Sequence, residues 1–146
     1  MHRILVGLDA SPRSKDVLDA AIDLARKTGS KLILMRAIGI PVEIPPEAYA
    51  LPPGSLEGLL EQEALRYVGK EIERVPEELR GPVKVAVGTP WQAICQAAKE
   101  ENVDLIVIGS HGYQGIDRLI GTTAAKVVNH ADRSVLVVRH PELLAG

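Results

Sequence analysis

At 146 residues, 46% hydrophobic and 25% charged, the chain has the length and composition of one globular domain able to bury a real core. A formal net charge of −2 offers no basic excess to hold nucleic acid or an anionic membrane surface. The single cysteine, Cys95, cannot close an internal disulfide, no apolar run is long enough for a membrane span, and "MHRILVGLDASP" lacks a signal-peptide core, so a cytoplasmic protein is expected.

In chain order, "RILVGL" (Arg3–Leu8) is continuous, branched and apolar, which predicts a strand buried on both faces. Ser11 then offers a cap and Pro12 a first helical residue, ahead of Val17, Ala20, Ala21 and Leu24 at helical spacing and Gly29 as a C-terminal stop. "KLILMRAI" (Lys31–Ile38) predicts the second strand. The segment Gly39–Ser55 holds five of the ten prolines and reads either as a stiff surface loop or as a flap over a ligand. From Ser55 to about Val75, Leu56, Leu59, Leu60, Tyr67, Ile72 and Val75 predict a longer helix. "VKVAV" (Val83–Val87) is the third strand, and Thr89-Pro90 repeats the cap-then-proline device before "WQAICQAAKEEN". "DLIVIG" (Asp104–Gly109) is the fourth strand, a short helix runs from Thr122 to about Asn129, and "SVLVVRH" (Ser134–His140) closes the chain.

Strict alternation of strands and helices predicts one domain over residues 1–146: an open five-stranded parallel sheet with right-handed crossovers and helices on both faces. Such sheets bind ligands beyond the carboxyl ends of their strands, where the strand order reverses. Two turns are built for that: "GLDAS" (Gly7–Ser11), with an acid as the strand ends, and "VIGSHGYQGIDRLIGTT" (Val107–Thr123), with four glycines in seventeen residues. If they face each other, the reversal lies between strands one and four and the order is 3-2-1-4-5.

The glycine stretch is not a Walker A loop, because threonine rather than lysine follows Gly121, and it is not G-x-G-x-x-G. What it offers is Gly109-x-x-Gly112, eight residues, and then Gly121-Thr122-Thr123 at a predicted helix start. The first two glycines let backbone approach a ring or sugar. The second group places amides and hydroxyls where the helix dipole favours an anion, with Arg118 and Lys126 as nearby cations. The plainer alternatives are a tight turn and an ordinary helix start. Asp9 likewise reads as a turn cap or a ligand contact, the latter because an acid ending a buried strand is costly to desolvate.

These segments resemble the universal stress protein family, through "ILVGLDASPRSKDVLDAAIDLA", "VGTPWQAICQAA", "VDLIVIGSHG" and "GTTAAKVVNHADRSVLVVR". The family's ATP-binding branch carries G-2x-G-9x-G-[ST]; this chain has eight residues at the second spacing. The resemblance implies the 3-2-1-4-5 sheet shared with adenine-nucleotide α-hydrolases, and ATP with Mg²⁺ as ligand. It implies that Leu8, Asp9 and neighbouring backbone meet the adenosine and that Ala37 lines the adenine pocket. Ile108, Gly109, Ser110, His111 and Gly112 would approach ribose and phosphates, His111 through its backbone, while Gly121, Thr122 and Thr123 hold the phosphate chain. It also implies a role in stress adaptation and a homodimer through the last strand. Edge physics points the same way, since Ser134–Arg139 is apolar and free of proline, and an unpaired edge of that kind invites a second copy.

No side chain stands out as a general base, so any ATP hydrolysis is expected to be slow and no catalytic residue is assigned. No histidine spacing matches a metal-ligand pattern. Cys95 and Trp91 read as packing residues. Two rivals remain: an α-hydrolase-type enzyme, disfavoured by the short "DASPRS" turn, and a nucleotide-free dimeric scaffold, disfavoured by the retained glycines.

Overall fold

The structure, a computed structural model, describes residues 1–40, 52, 54–110 and 121–139. Its elements run β1 (Arg3–Leu8), α1 (Ser14–Thr28), β2 (Lys31–Ile38), α2 (Ser55–Glu71), two short 3₁₀ turns (Ile72–Arg74 and Glu77–Leu79), β3 (Arg80–Val87), α3 (Pro90–Glu100), β4 (Leu105–Gly109), α4 (Thr122–His130) and β5 (Ser134–Val138). The five strands form one parallel sheet in the order β3-β2-β1-β4-β5. The expected topology is therefore the observed one. The reversal falls between β1 and β4, where Val6 pairs with both Leu34 and Val107.

Alternate side chains of the central strands feed two cores. Ile4, Val6, Leu8, Leu32, Leu34 and Val107 pack under Val17, Leu18, Ala21 and Ala25 of α1, with Tyr67 of α2 at the margin. Leu5, Ile33, Met35, Ala37, Ile106 and Ile108 pack under Ile94, Ala97 and Ala98 of α3 and Ala124 and Val127 of α4. The central strands are buried on both faces, which is why they read as unbroken apolar runs rather than alternating ones.

Several boundaries differ from the sequence reading. Pro12 is not the first residue of α1; residues 11–13 form a turn in which Ser11 Oγ accepts from the Arg13 amide at 3.3 Å, and the helix opens at Ser14. The far end of α1 is as expected, with Gly29 left-handed at φ 68° and its amide bonded to the Ala25 carbonyl. β3 starts three residues before Val83, at Arg80, and includes the exposed Pro82, which an edge strand tolerates because one row of its amides needs no sheet partner. In α2 the buried positions are Ala64 and Val68, whereas Leu59 and Leu65 are exposed. That helix lies over the edge of the sheet, so it needs only a narrow apolar seam, and the wide leucine pattern overstates its burial. Cys95 is half-buried against the α3–α4 core.

Candidate functional site

A cavity of about 570 Å³ opens beyond the carboxyl ends of the strands, at the reversal between β1 and β4. Leu8 and Asp9 enter it from the end of β1, Ala37 from β2, Ile108, Gly109 and Ser110 from β4, and Gly121, Thr122 and Thr123 from the start of α4. Nine of the eleven residues expected from the sequence thus line one space. The other two, His111 and Gly112, lie outside the described residues, as do Arg118 and most of the proline-rich segment Gly39–Ser55.

The two walls differ chemically. On the α3–α4 side, Ala37, Ile94, Ile108 and Pro90 give an apolar surface. Gly7 contributes by having no side chain: a Cβ there would lie 3.0 Å from Ile108 Cγ2 and 3.5 Å from Ile94 Cδ1. The opposite wall is polar, with Asp9, Arg13, Ser14, Asp16 and Arg36, and Arg139 stands beyond the end of β5. The lining therefore holds three guanidinium groups (Arg13, Arg36, Arg139) and two carboxylates (Asp9, Asp16).

At the head of α4, Gly121 has φ −62° and ψ 162°, a conformation open to any residue. The backbone therefore does not require glycine there. Gly121 also supplies no capping side chain. The first intrahelical bond runs from the Ala125 amide to the Gly121 carbonyl at 2.9 Å, so the preceding amides have no acceptor within the helix. Those amides and the helix dipole make this end of the cavity attractive to anions. Ser110, at the head of the glycine stretch, is buried and pinned to the next strand by its amide, which donates to the Val138 carbonyl at 2.9 Å.

Asp9 caps the turn, one of the two roles weighed for it, from a place on the cavity wall. Its Oδ1 accepts from the Ser11 amide at 2.9 Å and from Ser14 Oγ at 2.8 Å, which ties the β1–α1 turn, and the residue also lines the cavity. The desolvation argument for it does not hold, because Asp9 lies past the buried part of β1 and is exposed. Lys126 does not reach the cavity either. Its Nζ sits 5.8 Å above the Trp91 ring, which also stacks on His130 at 4.5 Å between centroids. Trp91 thus joins α3 to α4, the packing role expected of it.

The sequence reading placed Gly7 in a ligand-type turn without assigning it a role, and missed Arg13, Ser14, Asp16, Arg36 and Arg139. Arg36 did carry a signal, as a cation inside an otherwise apolar strand immediately before Ala37. Among the described residues no group of three or more His, Cys, Asp or Glu side chains could hold a metal ion, and no helix is long and apolar enough to cross a membrane.

The sequence pattern of the universal stress protein family matches residues 1–139. The chain belongs to that family. Universal stress protein A homolog 1 of Coxiella burnetii is 32% identical over 147 residues, covering 94% of this chain and 97% of the relative. Universal stress protein Sll1388 of Synechocystis sp. is 29% identical, with coverages of 94% and 97%. Among solved structures, UspA from Lactobacillus plantarum superposes with a TM-score of 0.71 at 24% identity, covering 94% of this chain and 97% of that one, a likeness of fold. A universal stress protein solved in complex with cAMP gives a TM-score of 0.63 at 26% identity, with coverages of 94% and 97%.

Proposed function

We propose that this universal stress protein binds an adenine nucleotide, ATP with Mg²⁺ foremost, and acts as a cytoplasmic homodimer in stress adaptation, the nucleotide serving as signal or structural ligand. The observation that carries the reading is the convergence of Asp9, Ala37, Gly109 and Gly121-Thr122-Thr123 on one cavity at the sheet's reversal. The base and ribose lie along the apolar wall of Ala37, Ile94 and Ile108, and the phosphates run to the head of α4. A relative that holds cAMP supports the nucleotide class. Mg²⁺ enters with the phosphates, since it keeps several waters and asks for few protein carboxylates.

The dimer reading rests on β5, an edge strand whose Leu136 is exposed and whose Val135 and Val137 are half-buried. A twofold copy paired along that edge would cover it.

The test is to purify the protein without added nucleotide, denature it, and identify released ligands by mass spectrometry. ATP, AMP or a cyclic nucleotide in stoichiometric amount supports the proposal and names the ligand. Replacing Gly121 by a bulky residue should abolish its retention. A preparation that releases nothing and binds no adenylate on titration would leave the nucleotide-free scaffold as the better reading.

A further inference from the structure

The β1–α1 turn carries more order than a connection between strand and helix needs. Ser14 is buried, and it is bonded twice to Asp9: its hydroxyl donates to Asp9 Oδ1 at 2.8 Å, and the Asp9 amide donates to Ser14 Oγ at 3.3 Å. A third bond, from the Ser11 amide to Asp9 Oδ1 at 2.9 Å, closes the turn. Between these residues Ala10 is held at φ 61°, in the left-handed region that disfavours an L side chain. Strain of that kind persists only where the surroundings over-determine it. Tyr67 of α2 is half-buried at the margin of the α1 core, its hydroxyl near enough to Ser14 to feel it and within the fields of Glu71, Asp9 and Arg36. Burial raises the Tyr67 hydroxyl above the usual phenol range, so it stays protonated and available as a donor at neutral pH.

An ionised carboxylate only accepts hydrogen bonds. Asp9 therefore suits the amino and hydroxyl donors of a nucleoside and repels a phosphate. We propose that Ser14 and Tyr67 are positioning residues that hold the Asp9 carboxylate preformed for nucleoside donors, so that they govern recognition of the nucleoside half of the ligand and leave its phosphate tail to α4. This rests on the nucleotide reading above and adds to it a chain of contacts by which α2 shapes the site. Preorganisation is the physical gain, because an acceptor already fixed in place loses little entropy when the ligand arrives.

The experiment compares wild type, Ser14→Ala and Tyr67→Phe by competition against a fluorescent ATP analogue, with ATP and inorganic tripolyphosphate as competitors, and with thermal melts to establish folding. Loss of a polar contact that orients a charged acceptor is expected to weaken ATP about tenfold in each folded variant. The tripolyphosphate affinity should stay within about twofold of wild type, since that probe never meets Asp9. Unchanged ATP affinity in both folded variants would overturn the proposal. So would a parallel fall for ATP and tripolyphosphate, which marks a merely structural role. If Ser14→Ala does not fold, Tyr67→Phe alone decides, because it removes one oxygen from a half-buried ring. Wild-type protein that displaces no analogue with either competitor sinks the nucleotide reading itself, a result distinct from a selective failure of the variants.

Discussion

Replacing Gly7 by valine separates the cavity from the fold. The new Cβ would lie 3.0 Å from Ile108 Cγ2 and 3.5 Å from Ile94 Cδ1; the Ile94 tip can shift, whereas the Ile108 methyl branches at Cβ and yields only with χ1 or the strand. Overpacking of this kind costs about 1–3 kcal/mol, and a β-branched residue in place of a strand glycine returns roughly 1 kcal/mol. The net loss of about 0–2 kcal/mol corresponds to a melting-temperature drop of at most roughly 8 °C for a domain of this size. Ligand at a hundred times its Kd should raise the wild-type melting temperature by roughly 5–11 °C, from about 2.7 kcal/mol of linkage. The valine methyls occupy the floor on which the ligand rests. If they weaken it about a hundredfold, the same concentration contributes only about 0.4 kcal/mol, a shift of roughly 1–2 °C. Differential scanning fluorimetry with and without Mg-ATP reads both numbers. A variant that melts a few degrees low yet keeps the full ligand shift would refute the placement of the ligand over the end of β1.

Three further outcomes follow from contacts away from the cavity. The Asp104 carboxylate accepts from the His2 amide at 2.6 Å and the Arg3 amide at 3.0 Å, and these bonds hold its pKa below the usual range. A depressed folded pKa adds stability that is full above the unfolded value near about 4 and is lost as pH falls through the folded one. Asp104→Asn should therefore flatten the acid limb of stability in urea titrations from pH 6 to pH 3, and an unchanged limb would contradict the contact. Gly81→Ala places a Cβ 2.9 Å from the Leu32 carbonyl oxygen, which is backbone and cannot step aside, so a loss of about 1–3 kcal/mol is expected by urea denaturation. If the chain pairs through β5 as proposed, light scattering should show a dimer that Leu136→Lys, at the exposed edge, converts into a monomer; a wild-type monomer would contradict the dimer, and an unaltered dimer would place the interface elsewhere.

The sheet and its reversal were legible because the doubly buried strands are unbroken apolar runs and the two ligand-type turns flank one point in the topology. The backbone half of the site was legible for the same reason, since Gly109 and Gly121 stand at a strand end and a helix start that the pattern itself marks, whereas Ala37 was reached only through the family resemblance. The site's polar half was not legible. Ser14, Asp16 and Arg13 meet the cavity because α1 opens two residues past Pro12, and no periodicity encodes so small a shift. Lys126 was misplaced by the converse error: proximity in sequence to Thr122 does not say which way a helical side chain faces, and this one faces Trp91. The leucines of α2 show how an apolar pattern overstates burial at the edge of a sheet.

The central claim is that amides at the head of α4 and the apolar wall beneath Ala37 together grip an adenylate. Isothermal titration calorimetry of nucleotide-stripped protein with ATP in the presence of Mg²⁺ tests it most directly. One site per chain with saturable heat, lost on substitution of Gly121, is the predicted result. A flat titration with ATP, AMP and cyclic nucleotides alike, from protein shown to be folded, would contradict it.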